Sequence, residues 1–215
     1  MQTKSSVTGQ EIEVVRADVL GPMVLSRCAS LLKPLYAWVT PDSSWLDVEA
    51  SVCWSDNEAT DRIVGANGLP VTLDRVQSCT GVGWFPALTW GQVQVCAGQV
   101  ETAYGALVAA AAAGDGRAAA VLELMRSVVP WQRFGVAPGV AMKAGWDLDC
   151  AGARTHVVVI GGGVVSVVLT SASVGPAWRS RWSAAAGREP SELARMHHGL
   201  LGVPFCSEPV AVGAT

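Results

Sequence analysis

Charge is scarce in this chain. Only 15% of its 215 residues are charged, and 15 basic residues nearly balance 18 acidic ones. Neither sign forms a block, so nucleic acid is not expected as the main partner. Long apolar runs are missing as well. The most apolar-looking stretch, residues 106–113, is far shorter than the roughly 20 residues that cross a bilayer, and Gly114-Asp115-Gly116 closes it. No membrane partner is expected. Residues 1–18 carry Lys4, Glu11, Glu13, Arg16 and Asp18 without an apolar segment, which reads as a cytoplasmic protein rather than an exported one. No C-x-x-C pair occurs among Cys28, Cys53, Cys79, Cys96, Cys150 and Cys206, so neither a metal nor a cofactor is expected, and free thiols are the default. Histidine is rare and remote from the motifs described below. His156, His197 and His198 read as structural, and no Ser-His-Asp triad is expected.

Half of the residues are hydrophobic, which excludes global disorder. The length suits one domain with a real core, spanning 1–215, with 1–9 and 205–215 as loose tails. Three short segments stand out. Ser30-Leu31-Leu32-Lys33 puts a serine and a lysine on one helical face. If a helix begins near Ala29, Ser30 sits at its positive end and the lysine amine can reach the hydroxyl and take its proton. A plain alternative is an N-cap serine beside a solvated lysine. Ser55-Asp56-Asn57 follows, and it would also cap a helix well. The third segment is Lys143-Ala144-Gly145, running into Trp146.

S-x-x-K, S-D-N and K-x-G in that order resemble the serine β-lactamase and DD-peptidase-like (penicillin-recognising) superfamily, class A in type. The resemblance covers residues 25–185. Trp131-Gln132-Arg133-Phe134-Gly135, the strand through Trp146 and the valine-rich hairpin after it look similar to a group of compact actinobacterial β-lactamase-like serine hydrolases, which commonly carry K-N-G-W at the third motif.

The elements read along the chain fit that resemblance. Residues 11–17 alternate as a strand. A helix over 29–39 is apolar on several sides, as a buried central helix would be. Helices follow at 45–52 and 59–64, and Asn67-Gly68-Leu69-Pro70 reads as a stop. Residues 65–97 show little period. Further helices are expected from Glu101 to 113 and at 117–128, then a strand over 140–143. β-branched runs at 155–160 and 164–170 form a hairpin around Gly161-Gly162-Gly163, and a terminal helix covers 190–198. The fold class is α+β: an antiparallel sheet covered by helices with a reduced helical lobe.

The resemblance implies roles. Ser30 is the nucleophile and Lys33 the base. Ser55 passes a proton to the leaving group, and Lys143 is a second cation that depresses the first. Asn57, Gly145 and Trp146 lie on the substrate-binding side, with the backbone N–H groups of Ser30 and Trp146 as the oxyanion hole. Two departures stand out. Ala144 replaces the hydroxyl residue that commonly binds a substrate carboxylate, and no acid between Arg75 and Glu101 matches the deacylating glutamate. The expected function is an acyl-serine hydrolase or acyltransferase acting on a small-molecule or peptide amide, ester or thioester, as in small-molecule biosynthesis. The alternatives are a weak β-lactamase and a non-catalytic binding module on the same fold.

Overall fold

The computed structural model describes the backbone of residues 3–7, 10–19, 23–85, 87–149 and 152–174, and the side chains of 23–85, 87–147 and 154–171. Five strands form an antiparallel sheet: β1 (Thr3–Val7), β2 (Gln10–Val19), β5 (Ala141–Asp149), β6 (Gly152–Gly161) and β7 (Val164–Val174), in the order β1-β2-β7-β6-β5. The β6–β7 turn is Gly162-Gly163 with φ of 58° and 79°, the left-handed pair that a two-residue hairpin needs. A small ribbon pairs β3 (Ser26–Arg27) with β4 (Gln94–Val95). β5 is therefore an edge strand, and the site is built along it.

Six helices make the other layer: α1 (Lys33–Val39), α2 (Trp45–Cys53), α3 (Asn57–Gly65), α4 (Leu69–Thr80), α5 (Ala97–Ala112) and α6 (Gly116–Arg126). Every residue of α1 is buried, and it packs against α2, α4 and α6 while α5 covers β7. Leu31, Leu32 and Leu35 are fully enclosed, each stabilising the fold by about 1.5–3 kcal/mol. Tyr104 on α5 donates its hydroxyl to the Leu31 carbonyl, which fixes the entry to α1. At the exit, the Arg117 guanidinium bonds the carbonyls of Ala37 and Thr40. Asp115 caps α6 through the amides of Arg117 and Ala118 and accepts from Trp38 Nε1 at 2.9 Å.

The layout is the α+β class expected. Several boundaries differ. Residues 3–7, read as a loose tail, pair with β2. The serine helix starts at Lys33 rather than near Ala29, because residues 29–32 form a turn whose Ala29 has a φ of 48°. α4 lies in a stretch read as patternless. Leu69-Pro70, taken as a stop, is a start: proline tolerates the first helical turn because its missing N–H has no partner there anyway. Thr72, Leu73, Val76 and Thr80 then give α4 its buried face. α5 begins four residues before Glu101, which removes that acid from the first turn. The expected helix over 190–198, with His197 and His198, and the tail 205–215 lie outside the described residues.

Candidate active site

A cleft of about 500 Å³ opens between β5 and the helical layer. Ala29 and Ser30 form its floor. Trp54, Ser55, Asn57 and Asp61 form one wall, residues 89–92 a second, and Arg27, Trp146 and Asp147 the rest. Segments from four distant parts of the chain thus meet around Ser30.

The Ser30 turn is held by its backbone. Cys28 N–H donates to Val93 O at 2.8 Å, Ala29 N–H to Gly91 O at 3.0 Å, and Leu31 N–H to Cys28 O at 3.0 Å. β5 runs hard against it. A Cβ on Gly145 would lie 2.7 Å from Ser30 N, 3.0 Å from Leu31 N and 3.1 Å from Cys28 O, distances that backbone atoms cannot yield to. Gly145, expected on the substrate side, is what lets the edge strand touch the serine turn. The Ser30 hydroxyl is half-buried and makes no hydrogen bond with a described residue, and its N–H is not used by the backbone bonds around it.

Two of the chain's three lysines, Lys33 and Lys143, are fully buried here. Lys33 Nζ donates to Ser55 O at 2.6 Å, Asp56 O at 3.1 Å and Asn57 Oδ1 at 2.8 Å, and it sits 4.7 Å from the centre of the Trp90 ring. Burial, and then the charge of Lys143, hold its pKa well below the usual lysine value. Lys143 Nζ donates to Gln132 Oε1 at 3.2 Å. Burial brings it down to about 7, with Cys53 opposing. The neutral form of Lys143 is therefore within reach of ordinary pH, and Lys33 gives up its proton more readily than a solvated lysine. Lys33 makes no hydrogen bond to the Ser30 hydroxyl, and its three acceptors on the S-D-N loop match the three N–H groups of the ammonium form, so a neutral Lys33 gives up one of these bonds together with its proton. Catalytic hydrogen bonds in unliganded sites commonly tighten only when substrate arrives.

The S-D-N segment divides its work. Asp56 caps α3, accepting from Ala59 N–H at 2.7 Å. Asn57 lines the cleft, and its Oδ1 accepts from Lys33. Ser55 has a φ of 57°, strained for a non-glycine residue, and its buried hydroxyl has no hydrogen-bond partner among the described residues.

Ala144 is fully buried with Val128 and Met142, beneath Phe134 and Trp146, whose rings lie 6.0 Å apart. It does not line the cleft. Trp146 does, and walls it. Cys28 and Cys53 are buried thiols, pushed up to about 12 and about 11 by burial, so neither is a nucleophile at neutral pH. His156, opposite Gly145 across the β5–β6 ladder, is buried: Nε2 lies 2.9 Å from Arg27 O, and Nδ1 accepts from Thr170 N–H at 3.2 Å.

Trp90 and Asp61 were not singled out in the sequence. Trp90 is a hub. Its ring faces Lys33, its Nε1 donates to Asp61 Oδ1 at 2.7 Å, and its carbonyl accepts from Tyr36 Oη and Cys28 Sγ at 3.0 and 3.1 Å. Nothing periodic marks it, because it opens a single 3-10 turn, Trp90–Gln92, too short to show a period. Asp61 had a signal: it follows Asn57 by four residues, so helical spacing puts both on one face. With Asp147 it is one of two acids that line the cleft, and it is the one whose charge acts on Lys33.

No protein-family description matches the chain, and no curated protein does. Solved structures are similar in fold. A variant of the last common ancestor of the class A β-lactamases of Gram-negative bacteria is 14% identical, with a TM-score of 0.54, over 90% of this chain and 88% of that one. The β-lactamase from Streptomyces albus G is 13% identical with a TM-score of 0.53, covering 94% of this chain and 91% of its own. PBP-A is 15% identical with a TM-score of 0.52, over 89% and 84%.

Proposed function

We propose, from the premise that this chain has the serine β-lactamase/DD-peptidase-like fold, that it is an acyl-serine hydrolase or acyltransferase working through Ser30. The observation that carries this reading is the Lys33 amine: fully buried, its pKa held well down, three residues from a cleft serine and bonded to the S-D-N loop. On this reading neutral Lys33 takes the Ser30 proton, and Oγ bonds to the carbonyl carbon of an amide, ester or thioester. The N–H groups of Ser30 and Trp146 hold the resulting oxyanion. Ser55 hands its proton to the leaving group as the bond to the acyl carbon breaks and takes in its place the proton that Lys33 received from Ser30, leaving an acyl-Ser30 ester and a neutral Lys33. Water or a second nucleophile then takes the acyl group. The proposed substrate is a small molecule or peptide, and the proposed setting is the cytoplasm.

Ala144, which offers no hydroxyl and does not face the cleft, argues against tight binding of a β-lactam carboxylate, so a slow β-lactamase is the second reading. A fluorophosphonate probe followed by intact mass and peptide mapping is expected to add one adduct, on Ser30, absent in Ser30→Ala. No adduct, or one on another residue, overturns the proposal. Nitrocefin turnover at rates typical of efficient enzymes, abolished in Ser30→Ala, favours the second reading instead.

A further inference from the structure

The stretch Trp131-Gln132-Arg133-Phe134-Gly135 has no part in the chemistry above, yet Gln132 joins two pieces of it. Gln132 is fully buried in the short turn Pro130–Gln132. Its Nε2 donates to Trp54 O at 2.6 Å, and its Oε1 accepts from Lys143 Nζ at 3.2 Å. Trp54 immediately precedes Ser55, the residue with the strained φ and the unspent hydroxyl. Lys143 makes no other hydrogen bond with a described residue. One side-chain amide thus spans from the edge strand to the S-D-N loop.

We propose that Gln132 is a positioning residue of this site: it holds the Lys143 amine and the backbone that carries Ser55 in a fixed relation, and, being uncharged, does so without giving the amine a counter-ion. The proposal rests on the acyl-serine reading. Its physical content is the difference between an amide and a carboxylate. An amide oxygen accepts from a neutral or a charged amine alike, whereas a carboxylate at contact favours the ammonium and raises a lysine pKa by about 1–3 units. The charged and titratable groups that face Lys143 are Lys33 from α1 and Cys53 from α2. Farther off, Asp56 and Asp61 act on Lys33 rather than on Lys143. Gln132 is the hydrogen-bond partner of Lys143 among the described residues, so a glutamate there introduces a counter-charge with little change of shape.

Gln132→Glu and Gln132→Leu test this in the full chain. The Lys143 titration is followed by ¹³Cε lysine NMR, assigned with Lys143→Met, and Ser30 labelling by a fluorophosphonate is timed in parallel. Circular dichroism checks that each variant is folded. Gln132→Glu is expected to raise the Lys143 midpoint by at least about one unit. Gln132→Leu, which removes both bonds, is expected to slow Ser30 labelling by at least about tenfold, because small displacements of catalytic groups are costly. A Gln132→Glu midpoint within a few tenths of a unit of the parent overturns the proposal, and so does labelling of Gln132→Leu at the parent rate. If the parent is not labelled on Ser30 at all, the acyl-serine reading falls and takes the positioning role with it. The titration then reports the contact separately. Labelling of the parent that is insensitive to both variants sinks the positioning role alone.

Discussion

The loop after α6 and the cleft beside it both bury positive charge, but their surroundings differ. Arg133 donates to the carbonyls of Arg126, Val128, Val136, Ala137 and Val140, so its whole guanidinium fork is used. That loop turns through Phe134 and Gly135 with φ of 49° and 84°, and the guanidinium closes it. Lys33 has three neutral acceptors and an aromatic face, and Lys143 has a single amide oxygen. Among the described residues no carboxylate bonds either amine. Arginine keeps its proton under such conditions and serves as scaffold. A lysine in the same poverty of counter-charge gives its proton up. The contrast separates a buried cation that holds structure from buried amines whose charge is disfavoured.

The largest expected effect breaks the second half of that contrast. Lys33→Met should slow Ser30 labelling by about 10³-fold, the span typical of a lost general base, or about 4 kcal/mol of barrier, while denaturant unfolding shows an intact fold. Arg133→Met should do the reverse. Leaving buried carbonyls unpaired is expected to cost about 3–4 kcal/mol of stability, read as a lower urea midpoint, with the Lys143 titration unmoved in the folded protein.

His156 sharpens the comparison as a buried base held neutral by structure alone. Burial lowers its pKa from 6.5 to about 4. The unfolded chain then binds a proton that the folded one refuses, so the stability linked to this group is fully present above pH 6.5 and is lost as the pH falls toward 4. The loss is at most roughly 3 kcal/mol. Urea midpoints at successive pH values should show it, and His156→Gln should flatten that part of the curve.

The smallest effect has the opposite sign. Lys143→Met should stabilise the fold at pH 7 by about 2 kcal/mol, since replacing a buried charge by an apolar side chain is commonly favourable. With a folded pKa of about 7 against an ordinary 10.5, the parent gains stability as pH rises between those values, so the advantage of the variant should shrink toward pH 10. An advantage that persists unchanged to pH 10 would mean that Lys143 is not held neutral.

Much of this arrangement was legible in local sequence. Ser30 and Lys33, Ser55 to Asn57, and the Gly162-Gly163 hairpin are short-range patterns, and the structure brings the first two together with β5. Three things were not. Gly145 matters because a Cβ there would lie 2.7 Å from a backbone atom of a turn 115 residues earlier, which spacing cannot reveal. Trp90 reaches Lys33 from a three-residue 3-10 turn outside any long helix or strand. Ala144 was weighed as a lost substrate contact, but its environment depends on how Phe134 folds back over β5. Long-range approach, irregular backbone and strand cover are set by tertiary packing, whereas caps, turns and helical spacing are written locally.

The most direct test is a ¹³Cε NMR titration of the two buried lysines in the unmodified protein, assigned with Lys33→Met and Lys143→Met. The account predicts that both resonances titrate well below the ordinary lysine range, with Lys143 near 7. Two midpoints at ordinary lysine values would contradict it, because amines that keep their protons at neutral pH cannot take one from Ser30.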